Sequence, residues 1–392
     1  MTAHRLDPAL VVVAGGVAAA LHVGKLPTAI PVLRDALHIT LVQAGFLLSL
    51  VQFAGMVLGL AVGLAADALG LRRTMAQGLA LLAAASALGA LAQDAATLMA
   101  LRAVEGLGFL LASMPAPSLI RRLVEPRRVN AALGWWGAYM PLGTALALVA
   151  GPLVMAAIDW RGWWAVLAVV AGAMSAVVAW ALPASANEGA VAARPWAARL
   201  RTTLRAPGPW LVALCFGVYS AQWLSLIGFL PTVYAQAGVA ATWAGAATAL
   251  VAVVNMAGNV VAGRWLQRGA KPQRLLAAGF VAMAVGAVFA FAEVAAPLRY
   301  AGALLFSMLG GLIPGTLFSL GVRLAPGEET VSTTVGWMQQ WSAFGQFAGP
   351  PIVAAVASAV GGWQWSGAVT AAFATAGLCI AALIARQPAR AH

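Results

Sequence analysis

The sequence predicts an all-α membrane protein with twelve transmembrane helices arranged as two six-helix bundles. Twelve apolar stretches of about 20 residues, the helix length that crosses a bilayer, fill the 392-residue chain almost end to end. Apolar residues make up 62% of the chain and charged residues 9%, which leaves too little polar surface to coat a soluble protein of this size. The composition therefore argues against a soluble enzyme.

Short basic or Gly- and Pro-containing breaks separate the apolar stretches. The first stretch is interpreted as an uncleaved helix rather than a signal peptide, because later stretches are just as hydrophobic. The predicted spans are 9–31, 41–62, 75–93, 97–120, 131–157, 163–182, 210–235, 243–266, 274–293, 299–322, 331–358 and 365–385.

The net charge of +12 follows the topology of a membrane protein rather than a nucleic-acid surface. With a cytoplasmic N-terminus, the loops on the outer side of the membrane contain Arg34, Arg161 and Arg299. Lys25 and Arg102 lie within spans, so the other 18 of the 23 Lys and Arg residues (23 − 3 − 2) face the cytoplasm. An even number of spans then places both termini in the cytoplasm. The predicted location is the inner membrane of a bacterium.

The chain also repeats itself. Leu26-Pro27-Thr28 recurs as Leu230-Pro231-Thr232, and Gly151-Pro152 recurs as Gly349-Pro350, at offsets of 204 (230 − 26) and 198 (349 − 151). Matches at nearly one offset, in corresponding helices, indicate a parallel repeat. The predicted organisation is an N-terminal half (1–183), a cytoplasmic linker (184–208) and a C-terminal half (209–392).

Two motifs carry a family resemblance. The run from Gly63 to Arg73 resembles the G-x3-D-x2-G-x-[RK]-[RK] signature of the major facilitator superfamily, in the expected loop between the second and third spans. Arg102 to Gly108 resembles the R-x3-G-x-G element of its fourth span. The second copy of the loop departs from the pattern, because Gln267 stands where the acidic residue would recur.

A finer resemblance is to the cyanate and nitroimidazole transporter group. It is carried by the seventh-span run 222–231 followed by Gly238, and by Gly336, Gln339 and Gly345 in the eleventh span. The superfamily resemblance implies secondary transport, in which the two halves rock about a site at the membrane midplane.

The loop signature supplies the expected cytoplasmic gate, with Asp67 pairing with a neighbouring helix end or a nearby Arg in one state. The alternative is that these are solvated charges that only set topology. The predicted gating residues are Gly63, Asp67, Gly70, Arg72 and Arg73.

Ionisable residues inside the spans point to the solute. Lys25, Arg102 and Glu105 lie well inside spans, with His22 nearby. A charge at the bilayer centre costs about 2.5–3.5 kcal/mol on insertion scales, so these groups must face protein, water or ligand. Counted from the outer membrane surface, Lys25 and Arg102 lie at similar depth. Two cations beside one carboxylate favour an anionic solute, with Glu105 as the proton-coupling site.

The alternative for this cluster is structural: Lys25 extends to the outer headgroups and Arg102 pairs with Glu105 one turn away. Neutral polar groups complete the predicted substrate site: Gln222, Trp223, Gln339 and Gln340. Interhelical hydrogen bonding is the alternative for each amide. Five tryptophans stand at span starts and are expected in interfacial belts: Trp160, Trp163, Trp164, Trp363 and Trp365.

The predicted function is secondary active transport of a small anionic solute by a monomer, with a small-molecule substrate and a proton as partners. Efflux of a drug-like or siderophore-like compound is the alternative within the same class, and a non-transporting membrane sensor is the alternative outside it. Four scattered His and two Cys residues, both Cys within spans, predict no metal site or cofactor, and no Walker loop or catalytic triad is present in the sequence.

Overall fold

The computed structural model describes residues 6–183 and 196–387, except for the side chains of residues 63–69, 130, 131 and 196. Every regular element within these residues is helical. The helices are α1 (Pro8–Leu37), α2 (Leu41–Ser49), α3 (Phe53–Leu69), α4 (Leu71–Gly89), α5 (Ala95–Ser113), α6 (Ala116–Leu123), α7 (Pro126–Gly137), α8 (Tyr139–Ala181), α9 (Trp196–Arg205), α10 (Pro207–Gln236), α11 (Ala241–Gln267), α12 (Pro272–Phe291), α13 (Ala296–Gly310), α14 (Leu312–Arg323), α15 (Val331–Val360) and α16 (Ser366–Ala385). Short 3₁₀ turns lie at Leu50–Gln52 and Glu328–Thr330.

Ten helical stretches of the described chain are long and apolar enough to cross a bilayer. One of them, Pro126–Ala181, has 56 residues, far more than one crossing needs. Its backbone leaves the helical region at Ile158 and Asp159, where the sequence predicts a break, so it supplies two spans. The 19-residue α4, which packs against α5 and α8, completes the twelve predicted spans.

Capping side chains fix where α1 and α5 begin. Asp7 accepts a hydrogen bond from the Ala9 backbone N–H at 2.9 Å, and Asp94 accepts one from the Thr97 N–H at the same distance. Arg128 also donates to the Asp7 carboxylate. That hydrogen bond and the one from Ala9 hold the pKa of Asp7 below its ordinary 3.8.

Two compact units divide the chain, and each has its own close helix contacts. The first comprises Met1–Ile39, Leu50–Ala192 and Tyr234–Ala249. Within it, α1 packs along α8, where a Cβ at Gly24 would lie only 2.6 Å from the Thr144 carbonyl oxygen. A glycine here lets the two backbones approach, as small residues do in membrane helix pairs.

The second unit comprises Thr40–Ser49, Ala193–Val233 and Leu250–His392. Within it, α15 meets α10, where a Cβ at Gly345 would lie 1.9 Å from the Gly217 carbonyl oxygen. The boundaries of the predicted halves, 1–183 and 209–392, stay a prediction, and residues 184–195 of the linker lie outside the described residues.

Candidate functional site

Two helices of the first unit, each with a pair of residues one turn apart, build a buried charge cluster. His22 and Lys25 come from α1, and Arg102 and Glu105 come from α5. Residues three apart share one face of a helix, so each helix presents both members of its pair together. We call these four residues the charge cluster.

Glu105 is the centre of the cluster. Its Oε1 accepts a hydrogen bond from the Lys25 ammonium, and its Oε2 accepts one from Arg102 Nη1 at 2.6 Å. The exposed fraction is 0% for Lys25, 2% for Arg102 and 1% for Glu105. Buried charges are tolerated only when they are paired and hydrogen-bonded, and this carboxylate serves two cations at once.

The Lys25 ammonium has two further neighbours. It donates to the Ser86 hydroxyl at 3.1 Å and lies 4.5 Å from the centre of the Trp164 ring. Ser86 in turn donates to the Trp164 carbonyl at 2.9 Å, which directs its oxygen lone pairs towards the lysine. Lys25 is therefore held inside the protein and does not extend to the outer headgroups.

His22 completes the cluster without a hydrogen bond. Its side chain is fully buried, and neither ring nitrogen has a hydrogen-bond partner. Its Nδ1 lies 3.6 Å from Oε1 of Glu105, the oxygen that also holds Lys25. This distance is just beyond a hydrogen bond, so a small shift of either side chain would make one.

The buried charges do not cancel. Among the side chains that the structure describes, Glu105 is the only acidic one that is buried, and Lys25 and Arg102 are the only buried basic ones. With a neutral imidazole at His22, the cluster carries one excess positive charge (2 − 1) inside a membrane-spanning unit.

The other predicted substrate residues lie in the second unit. Gln222 and Trp223 are buried on α10, where the Gln222 amide donates to the Val218 carbonyl at 2.9 Å. The Gln222 amide oxygen and the Trp223 indole N–H have no hydrogen-bond partner. On α15, Gln339 is exposed and Gln340 is half-buried. The assignment of these four residues to a substrate site stays a prediction.

The second unit also has a polar network that carries no charge. Tyr219 donates to the Asn255 side-chain oxygen at 3.2 Å, and Asn255 donates to the Ser307 carbonyl at 2.8 Å. The hydroxyls of Ser220 and Ser342 lie 2.7 Å apart. Buried hydrogen-bonding groups of the described second unit are thus neutral, whereas those of the first unit include the charge cluster.

The loop between α3 and α4 contains the predicted gate. Gly70 has φ +87°, a value that favours glycine, and it separates the two helices. Arg72 donates to the carbonyls of Ala179 and Leu182 at 3.0 and 3.1 Å, at the C-terminal end of α8, whereas Arg73 is exposed. Gly63 and Asp67 lie outside the described side chains, so the gate stays a prediction.

Sequence reasoning missed two members of this site and misplaced one set of tryptophans. The sequence does not single out Ser86 as a site residue. It places Trp164, with Trp160 and Trp163, in an interfacial belt. That expectation is wrong for Trp160, Trp163 and Trp164, because all three indoles are at most 2% exposed. They pack inside the first unit, where Trp164 faces Lys25. No sequence signal distinguishes a belt tryptophan from one at a buried helix start.

Comparison with known proteins identifies the family. A family model of the Major Facilitator Superfamily matches residues 12–350. The chain belongs to this superfamily. The predicted fold class and the resemblance seen in the loop motif are thereby confirmed, and the chain is a multi-pass membrane transporter rather than an enzyme.

A relative of known name agrees with this placement. The chain is 30% identical over 149 residues to the cyanate transport protein CynX of Escherichia coli (strain K12), a match that spans 37% of this chain and 37% of that protein. The sequence-based placement beside the cyanate transporter group is in line with this match.

Solved structures show the same fold. A bacterial homologue of the human lysosomal transporter Spinster, in an inward-facing and unoccupied conformation, matches with a TM-score of 0.81 at 13% identity over 98% of both chains. The D-xylose-proton symporter matches with a TM-score of 0.77 at 15% identity over 97% of both chains. At these identities the likeness concerns the fold.

Proposed function

We propose that this superfamily member is a secondary active transporter that moves a small anion by alternating access. The observation that supports this most is the excess positive charge of the buried cluster. The excess positive charge would attract an anion to Lys25 and Arg102, whereas it would repel a cation. Cationic drug-like compounds are accordingly disfavoured at this site.

Lys25 is the residue best placed to hold the anion. An ammonium group has three N–H donors, of which Glu105 and Ser86 use two. Neither of them uses the third, and the ammonium lies beside the face of Trp164. Arg102 stays bonded to Glu105 and adds positive charge from the opposite side of the carboxylate.

The substrate class follows from this donor set. One or two N–H donors beside a flat ring suit a small monovalent anion, such as cyanate or a short carboxylate. The relative that is named a cyanate transport protein supports cyanate as the first probe. In the second unit, Gln222, Trp223, Gln339 and Gln340 are proposed as neutral groups along the substrate path.

Binding measurements on the purified protein test the proposal. Cyanate, thiocyanate, formate and acetate would be titrated against wild type and Lys25→Gln, with thermal stabilisation as the readout. Lys271→Gln is the matched control, because Lys271 is an exposed lysine at the start of α12. Tetraphenylphosphonium serves as a cationic drug-like probe.

We expect at least one anion to stabilise the wild type and Lys271→Gln equally. Loss of one charge-assisted contact costs about 1.5–3 kcal/mol, so Lys25→Gln should bind that anion roughly ten- to a hundredfold more weakly. Equal affinity in Lys25→Gln would remove Lys25 from the site. Stabilisation by tetraphenylphosphonium but by no anion would favour the efflux alternative.

We also propose an inner-membrane location with both termini in the cytoplasm, supported by the distribution of Lys and Arg. Reporter fusions after Ala184 and at His392 should both give a cytoplasmic signal. A periplasmic signal from either fusion would contradict this orientation.

A further inference from the structure

We propose that His22 takes up a proton when the anion binds, so that the anion and the proton enter the cluster together. This inference rests on the proposed anion transport and replaces Glu105 with His22 as the proton-binding residue. It starts from a fully buried imidazole whose two nitrogens have no hydrogen-bond partner, one turn from Lys25 and beside Glu105.

Glu105 is poorly suited to accept the proton while the cluster is assembled. Each of its oxygens is held by a different cation, Lys25 on one and Arg102 on the other. Protonating the carboxylate would weaken both charge-assisted contacts in a place where water cannot replace them. A neutral imidazole loses no hydrogen bond when it is protonated.

A protonated His22 would compete with Lys25 for the same oxygen. Its Nδ1–H would close the 3.6 Å gap to Glu105 Oε1 and become a charge-assisted donor. Lys25 could then turn its ammonium from Glu105 to the anion while it keeps Ser86 and the face of Trp164. The proton thus frees the group that holds the anion.

The charges that face His22 are few. They are Lys25 on α1 itself and Arg102 and Glu105 on α5, while α4 and α8 contribute the uncharged Ser86 and Trp164. On the other helices that pack against α1, the charged and titratable groups have their own partners or are exposed. These are Arg72, bonded to the end of α8; Arg161, bonded to the Ala92 carbonyl; Asp159, bonded to the Gly162 N–H; Tyr139, stacked on Trp136; and the exposed Arg73, Arg121, Arg122, Arg127 and Arg128.

Thermodynamic linkage turns this geometry into a measurable coupling. If a bound anion stabilises the imidazolium, the imidazolium must strengthen anion binding by the same factor. The cluster then has the same charge when it is empty and when it holds one proton and one anion. Anion affinity should rise as the pH falls, by up to about one decade per pH unit for one linked proton.

Isothermal titration calorimetry measures the linked proton directly. Formate and thiocyanate would be titrated into the purified full-length protein in two buffers of different ionisation enthalpy, between pH 5.5 and 8. The variants are His22→Asn and His22→Gln, each checked for a monodisperse elution profile. His38→Asn is the matched control, because His38 is exposed and its left-handed backbone (φ 51°) suits Asn.

We expect wild type and His38→Asn to take up protons when they bind the anion. The number of protons taken up should approach one per anion in the pH range where the affinity depends on pH. Both His22 variants should still bind the anion, with no proton uptake and with a flat affinity profile. Proton uptake that persists in the His22 variants, or is absent from wild type that binds the anion, would overturn the inference. Failure of wild type to bind any of cyanate, thiocyanate, formate and acetate would instead contradict the proposed function.

Discussion

Removal of the Glu105 carboxylate should destabilise the protein far more than removal of the Lys25 ammonium. The charge cluster carries +1 with a neutral His22. Glu105→Gln raises this to +2 and leaves both Lys25 and Arg102 without their acidic partner. Lys25→Met lowers it to zero and keeps the 2.6 Å contact between Arg102 and Glu105.

The magnitude follows from burial. Removing one member of a buried ion pair typically costs about 3–5 kcal/mol, because the remaining charge is left desolvated and uncompensated. Glu105 serves two cations that are at most 2% exposed, so the upper part of this range applies to Glu105→Gln. Lys25→Met leaves no buried charge unpaired and should cost less than about 1.5 kcal/mol.

The assay is the thermal midpoint of the purified protein in one detergent at pH 7.5. At about 2–4 °C per kcal/mol for a unit of roughly this size, Glu105→Gln should melt at least about 5 °C below wild type. The double variant Lys25→Met with Glu105→Gln returns the cluster to +1 and should recover part of that loss.

The order of these midpoints can refute the reasoning. A Glu105→Gln protein as stable as wild type would show that the cluster is hydrated or that its charges are compensated elsewhere. A double variant less stable than Glu105→Gln would show that Lys25 contributes packing rather than charge. Either result would remove the excess-charge argument on which the proposed anion site depends.

Three further perturbations have defined outcomes. Arg72→Ala should lower the initial rate of anion uptake more than Arg73→Ala at equal membrane abundance, because Arg72 alone of the two binds the end of α8. Gly345→Ala should sharply reduce the yield of folded protein, since its Cβ would meet a carbonyl of α10 at 1.9 Å, whereas Gly263→Ala, with open space, should not. The lowered pKa of Asp7 contributes stability above its ordinary 3.8 that is lost as the pH falls below it, so Asp7→Asn should flatten the dependence of the thermal midpoint on pH in acid.

Much of the fold was predictable because membrane helices leave a strong one-dimensional signal. Apolar length alone defined the spans, and the break between 157 and 163 coincides with the non-helical backbone at Ile158 and Asp159. The third span shows the limit of that signal. The apolar stretch predicts it over 75–93, whereas α4 runs from Leu71 to Gly89, takes in Arg72 and Arg73, and packs against α5 and α8.

The site was predictable only where charge made a residue conspicuous. Lys25, Arg102 and Glu105 stand out in apolar spans, and a count of residues from the membrane surface placed the two cations at similar depth. The structure brings them together around the one carboxylate. The role of each in transport stays a prediction.

The uncharged partners could not be found in the same way, because they depend on which helices become neighbours. Ser86 is an ordinary serine of α4, and it matters only because α4 lies beside both Lys25 and the Trp164 carbonyl. His22 was visible in the sequence, but its lack of a partner was not. A charged residue in a membrane helix can thus be recognised from the sequence as a candidate site residue. Its neutral partners can be identified only once the packing of the four helices is known. The charge balance and the unpartnered imidazole are therefore the two features that mutation should test first. The two tests are independent, because the proposals assign anion affinity to Lys25 and its dependence on pH to His22.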